Sequence, residues 1–259
     1  MRKALIFTLM LGSSVFLTTI NALSAPTERR DPIGRLTKLD RTKLDRQSDN
    51  SFYSQPNMAV HADKSFLDQL TDLYEELIPE DSVILDMMSS HVSHLPPNKP
   101  LHRVDVHGMN PIELEANEAR RATNGSAFVR NLNENPTFLG LCETAEYDAL
   151  LCCVGVQYLE EPESVFAEVA RILKPNTGLC IVSFTNRFFY QKALTGWMER
   201  GMSERAKLVV DYFRAAGGFQ EGSIQIKGDG TGAINQLMSL GGLAGDPFVA
   251  VVARRDGSS

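Results

Sequence analysis

Cysteine is scarce in this sequence: Cys142, Cys152, Cys153 and Cys180 are the only four in 259 residues. Two are adjacent, and neighbours on a strand point to opposite faces, so the set suits buried thiols better than a disulfide framework. A positive excess is also missing, since 26 Lys and Arg stand against 32 Asp and Glu, a formal charge of -6. That is not the electrostatics of a nucleic-acid partner, and none is expected. There is no internal repeat. The longest apolar run, from Ala4 to Ile20, falls short of the about 20 residues that a membrane span needs. His91, His94, His102 and His107 lie close together in sequence, but no cysteine or paired carboxylate completes a ligand set, so no metal is expected.

What is present is ordinary for a soluble globular protein: 43% hydrophobic and 22% charged residues, with length enough for one generous domain or two small ones. The start, "MRKALIFTLMLGSSVFLTTINALSA", has a basic end, an apolar run and small residues near Ala22 and Ala25, the layout of a signal peptide over residues 1–25. A membrane anchor is the competing reading. Residues 26–50, "PTERRDPIGRLTKLDRTKLDRQSDN", are rich in Arg and Lys and poor in large apolar side chains, and read as an unfolded transit or linker segment. Together the two resemble the two-part plastid presequence of algae with secondary plastids, in which "INALSAP" is a loose match to the cleavage motif. Free buried cysteines persist most easily in a reducing compartment, which suits a plastid stroma. Plain secretion is the alternative. No stable membrane span is expected after processing.

The folded domain is expected over 51–259. "DKSFLDQLTDLYEELIPED" sets Phe66, Leu67, Leu70, Leu73, Tyr74 and Leu77 at helical spacing and ends at Pro79. "SVILDM" then reads as a strand buried in a parallel sheet. A second strand, "LHRVDVHG", is followed by one helix over "NPIELEANEARR", and "SAFVRNL" is a third strand. "YDALLCCVGV" is the fourth and most apolar. "EPESVFAEVARILKP" is an amphipathic helix with a proline at each end, and "GLCIVSF" the fifth strand. "SERAKLVVDYFRAAGGF" is a helix with Ser203 as its cap and Gly217 as its stop. "GSIQIKG" and "DPFVAVVARR" are two last strands, joined by a glycine-rich loop from Gly228 to Gly245. Alternating strands and helices imply one α/β domain, a doubly wound, mostly parallel seven-stranded sheet whose last strand runs antiparallel.

The stretch "EYDALLCCVGVQYLEEPESVFAEVARILKPNTGLCIVSF" resembles the class I S-adenosylmethionine-dependent methyltransferases, most closely the small-molecule branch called type 11: its fourth strand, "QYL" turn, helix ending in "LKP" and fifth strand. "DMMSSHVSHLP" is similar to "DLMSSWVSHLP" of a cyanobacterial group of such proteins. The resemblance covers roughly residues 51–255 and implies a Rossmann-like methyltransferase fold with S-adenosyl-L-methionine as cofactor. Its first loop, usually Asp-x-Gly-x-Gly-x-Gly, keeps Asp86 but places Met88, Ser90 and Val92 where glycines stand, with Ser89 and Ser90 small enough to admit a ligand edge. The acidic residue that usually receives the ribose hydroxyls falls on Gly108, beside Met109 and Asn110, and Asp105 lies inside the strand. Asn131, next to Leu132, stands where an Asp contacts the adenine amino group. Cys153, Val154 and Gly155 fall near the methyl-donor end, and Tyr158 near the substrate mouth.

On the substrate side the resemblance points to Asn186 and Arg187, in "TNRFFYQKALTGWMERG", whose aromatics could cover a flat apolar molecule or simply pack a lid. His91 and His94 are candidates for a general base, or for lining or capping a pocket. Catalysis of methyl transfer is mostly positioning, so no catalytic residue is assigned. Two functions from different classes remain: an enzyme methylating a small organic molecule, and a methyltransferase-like binding or assembly protein that uses the cofactor weakly or not at all. A nucleotide-dependent reductase is disfavoured by the terminal strand pair. Oligomeric state is left open. A fusion of residues 1–50 to a fluorescent protein is expected to reach the plastid; its secretion would refute the two-part address.

Overall fold

The computed structural model describes residues 36–228 and 245–257. The signal-like segment and most of the glycine-rich loop lie outside the described residues. Helix α1 (Asp49–Phe52) and α2 (Lys64–Leu77) precede β1 (Ser82–Met87) and β2 (Leu101–Gly108). Two short helices, α3 (Pro111–Ala116) and α4 (Glu118–Ala122), lead to β3 (Ala127–Val129) and β4 (Ala149–Cys153). Then come α5 (Pro162–Ile172), β5 (Leu179–Phe184), α6 (Thr195–Met198), α7 (Met202–Ala216), β6 (Gln225–Gly228) and β7 (Val249–Arg254).

The sheet has seven strands in the order β3-β2-β1-β4-β5-β7-β6. The first five are parallel, and β7 runs antiparallel between β5 and β6. This is the doubly wound, Rossmann-like sheet expected from the alternation of elements. Strand period separates the two cores. In β4, Leu150 and Cys152 enter the layer under α5 and α7, while Ala149 and Leu151 enter the layer under α2. Cys152 and Cys153 therefore point to opposite faces, and all four cysteines are free. Helix α5 buries Val165, Phe166, Val169 and Ile172 against α7, where Phe166 meets Phe213 edge-on at 4.8 Å. Burial of each such side chain stabilises by about 1.5–3 kcal/mol. Helix α2 starts on Asp63, whose carboxylate accepts the Phe66 N–H at 2.9 Å.

Three local expectations are corrected. The helix expected over residues 110–121 is two, broken at Asn117, because the fully buried Asn117 side chain is taken up elsewhere: its Oδ1 caps α4 and its Nδ2 donates to Ser90 O and Ser93 Oγ. Helix α7 begins at Met202 with Gly201 as its N-cap, two residues before the expected Ser203 cap, because the Glu204 carboxylate accepts the Gly201 N–H at 3.0 Å. Gly217 does end it, at φ 70°.

The third correction concerns the boundary at Ser51. Residues 36–50 are folded onto the domain as a strap along 191–196. Asp45 N–H donates to Gln191 O, Thr195 N–H to Thr42 O, and Gly196 N–H to Asp40 O, all within 2.9 Å. The basic charges that made this stretch read as solvated are used up in ion pairs. Arg41 reaches Glu163 at 2.8 Å, and Lys43, nearly buried, reaches Asp49 at 2.8 Å and Glu160 at 2.9 Å. From the other side the buried Lys192 ammonium donates to Gln47 O at 2.7 Å and pairs with Asp45 at 3.1 Å and Asp49 at 3.3 Å. Ion pairs this buried are strongly destabilising to break from one side, since the remaining charge is left without its partner. Lys192→Met is expected to lower the unfolding free energy by about 3 kcal/mol, read by urea denaturation, and to speed proteolysis within residues 40–62.

Candidate functional site

Beyond the carboxyl ends of β1, β2 and β4 the chain leaves a cleft that opens to solvent. Its floor is the turn after β1. Met88 leaves the strand in the left-handed region at φ 58°, where glycine is the usual occupant. Such a conformation costs a side-chain-bearing residue about 1–2 kcal/mol. Two contacts with β2 hold it. His107 Nδ1 accepts the Met88 N–H at 3.2 Å, and His107 O accepts the Ser89 N–H at 2.7 Å. With Nδ1 accepting, the neutral imidazole carries its proton on Nε2, which donates to Arg130 O at 3.0 Å. One buried histidine thus joins the turn after β1 to the end of β3. Burial drives its pKa down to about 4, so it stays neutral near pH 7.

The turn presses on its neighbours. A Cβ at Gly108 would lie 2.5 Å from Ser89 O, and one at Gly155 would lie 2.9 Å from Met88 Cβ. The missing glycines of the loop and the missing acid at Gly108 are therefore one feature. The loop backbone crosses the end of β2 where an acidic side chain would leave it. Asp105, the other acid of that strand, faces away from the cleft and is buried on Ser126 N–H, Arg103 and the Tyr147 hydroxyl. Past β4, Val154 has φ 50°, a conformation that β-branched residues rarely adopt. Its N–H donates to Ser183 O and its carbonyl accepts from Gln157 Nε2.

Asp86 stands at the end of β1 with its carboxyl buried. Desolvation pushes its pKa up to about 7, against the hydroxyls of Ser89, donating at 2.5 Å, and Ser93. His94 is driven down to about 4, first by burial and then by the neighbouring His91 and His61; His61 is lowered too, chiefly by burial. Burial pushes the Cys153 thiol up to about 12, which makes it a poor nucleophile at neutral pH. Among the described residues, the backbone N–H groups of Ser90, His91 and Val92 meet no protein acceptor.

The ten positions assigned to a cofactor, Asp86, Met88, Ser89, Ser90, Gly108, Met109, Asn131, Leu132, Cys153 and Val154, all line the cleft, as do His91, His94 and Tyr158. Asn186 and Arg187 do not line it. Arg187 is turned to Asp246 at 2.7 Å, whose other oxygen accepts the Asp63 N–H, and Asn186 accepts from the Thr185 hydroxyl. Of the aromatics that follow, only Phe189 reaches the cleft, while Trp197 packs in the core on Phe184. Asn110, named beside Gly108, lines it too, and Tyr53, His61, Glu113 and Asn133 also line it and escaped the sequence reading. Tyr53 and His61 sit in an aperiodic segment that carries no pattern signal. That segment is tied down by Asn110 Nδ2, donating to Tyr53 O at 3.0 Å, and by Glu113 Oε1, accepting the Asn57 N–H at 2.7 Å. Phe189 closes the outer wall, 5.3 Å from His61 and 6.1 Å from Tyr158, with its N–H on the Tyr158 hydroxyl.

Among the described residues, no group of three or more His, Cys, Asp or Glu is arranged to hold a metal ion, and no helix is long and apolar enough to cross a membrane.

The family model described as a methyltransferase domain matches residues 89–182, from the turn after β1 into β5. No curated protein sequence matches. Among solved structures, a possible exported protein from Bordetella parapertussis shares the fold at 14% identity and TM-score 0.50, over 78% of this chain and 71% of its own. An S-adenosylmethionine dependent methyltransferase from Mesorhizobium loti aligns at 16% identity and TM-score 0.45, over 73% of this chain and 100% of its own. A geranyl diphosphate C-methyltransferase from Streptomyces coelicolor A3(2) aligns at 12% identity and TM-score 0.44, over 73% and 78%.

Asp86 yields a pH prediction. Its carboxyl ionises above pH 3.8 when unfolded but only near pH 7 when folded. The unfolded chain therefore releases a proton that the native state still holds, and this contribution lowers stability as pH rises from about 4 to about 7. Asp86→Asn keeps an acceptor for Ser89 and removes the charge. It is expected to gain about 2 kcal/mol more over the wild type at pH 8 than at pH 5, in denaturant melts.

Proposed function

On the premise that this chain belongs to the class I S-adenosylmethionine-dependent methyltransferase superfamily, with residues 89–182 as its methyltransferase domain, we propose that it transfers a methyl group to a small organic molecule bound in the cleft. The observation that carries this reading is the convergence of all ten expected cofactor positions on one cleft at the carboxyl ends of the sheet, beside the strand-order reversal between β1 and β4. The residues fit the cofactor in kind. Free N–H groups at Ser90, His91 and Val92 suit its carboxylate, and Asp86 suits its ammonium. Leu132 offers an apolar surface to a base. Asn131 Oδ1 already accepts the Asn133 N–H at 3.0 Å and keeps one lone pair for an amino group. When bound, the cofactor supplies a methyl carbon activated by its positive sulfur; the protein's part is to align an acceptor atom with it and to exclude water.

The second reading, a binding or assembly protein on the same sheet, is favoured by Gly108, which leaves the ribose without a carboxylate. Calorimetric titration of the protein with S-adenosylhomocysteine separates the two. Micromolar binding is the expected result. No heat, together with no thermal shift at millimolar ligand, would leave the binding-protein reading standing.

A further inference from the structure

Three side chains at the mouth of the cleft form a hydrogen-bonded chain. Ser90 Oγ lies 2.7 Å from Glu113 Oε2 and 3.2 Å from His91 Nδ1. A hydroxyl has one proton, and a carboxylate can only accept, so Ser90 donates to Glu113. The His91 contact must then run the other way, with Nδ1–H donating to Oγ. A neutral imidazole has a single N–H, so Nε2 is left as a bare acceptor. Among the described residues Nε2 has no protein partner.

The chain is anchored on both sides. Asn57 N–H occupies the other Glu113 oxygen, and Asn117 Nδ2 holds Ser90 O at 3.1 Å. The cleft wall offers no free side-chain cation to an anionic substrate: among the described residues the one guanidinium there, Arg130, donates to the carbonyls of Thr137 and Leu139, while Glu113 accepts from Ser90 and Asp49 is already paired with Lys43 and Lys192. The outer wall is the aromatic set around Phe189.

We propose that the acceptor substrate is an uncharged aromatic molecule methylated on a phenol-type hydroxyl, and that His91 Nε2, oriented by Ser90 and Glu113, takes the hydroxyl proton. This rests on the methyl-transfer reading above. The phenol oxygen keeps the electron pair of its O–H bond and uses it to bond the methyl carbon. The pair of the broken carbon–sulfur bond returns to sulfur, which becomes a neutral thioether. The proton ends on Nε2, and the imidazolium so formed points its Nδ1–H through Ser90 toward the Glu113 carboxylate. His91 is the catalytic residue; Ser90 and Glu113 are positioning residues.

The test uses 4-nitrophenol, whose phenolate is coloured, at a pH where the free compound is mainly protonated. Titrated with excess full-length protein, it is expected to develop the phenolate band. His91→Gln is expected to lower the ionised fraction at least tenfold, and Ser90→Ala and Glu113→Gln several-fold, with His102→Gln, at an exposed histidine outside the cleft, near wild type. Should His91→Gln unfold the loop, Ser90→Ala, which keeps the imidazole and removes its orienting acceptor, carries the same test. No phenolate in the wild type, whether or not nitrophenol binds, or a band that survives His91→Gln or is lost equally with His102→Gln, overturns the proposal. Parallel titration with S-adenosylhomocysteine keeps the two readings apart. Cofactor binding without phenolate removes this inference alone, and phenolate without cofactor binding removes methyl transfer alone.

Discussion

The crossing of the loop after β1 over the end of β2 is the constraint on which the cleft depends. With Ser89 O placed 2.5 Å from where a Cβ at position 108 would stand, that position can hold only glycine. The crossing is made without glycine in the loop itself, through one residue in the left-handed region and a buried neutral histidine that receives its N–H. The conformational freedom usually vested in the loop has been moved to the neighbours it touches, Gly108 and Gly155. Steric complementarity of this kind is pairwise: restoring a side chain at either neighbour would require the loop to move.

Around that crossing the polar groups form a continuous framework. Asn117 breaks a helix in order to hold Ser90 and Ser93, and Glu113, one turn earlier, joins Ser90 to the N-terminal segment at Asn57. The strap behind that segment is held by Lys43 and Lys192, whose ammonium groups are buried among carboxylates and a carbonyl. The wall of the cleft is thus supplied partly by residues that precede the sheet, among them Asp49, which Lys43 and Lys192 hold from behind.

Every strand was legible in advance, because an apolar run such as "SVILDM" or "ALLCC" bounded by turn residues has few alternatives in an α/β chain. The helices at 64–77 and 162–172 were equally plain from their spacing. Asn117 was not, because its helical pattern continues on both sides and only a tertiary partner explains the break. Residues 36–50 were misread for a related reason: composition records that Arg41 and Lys43 are charged, but not that Glu163, Glu160 and Asp49 are waiting for them. Arg187 was placed at the cleft by its position after β5, and Asp246, distant in sequence, drew it elsewhere.

Periodicity and turn chemistry, which act over a few residues, determined the sheet, its order of elements and the place of Asp86 at the carboxyl end of β1. Folding decided what that end looks like. The close approach of Ser89 to Gly108, the neutral state of His107 and the proton order along Glu113, Ser90 and His91 arise between residues 19 to 23 positions apart. Such relations are steric and electrostatic facts about neighbours in space, and no local pattern in the chain encodes them.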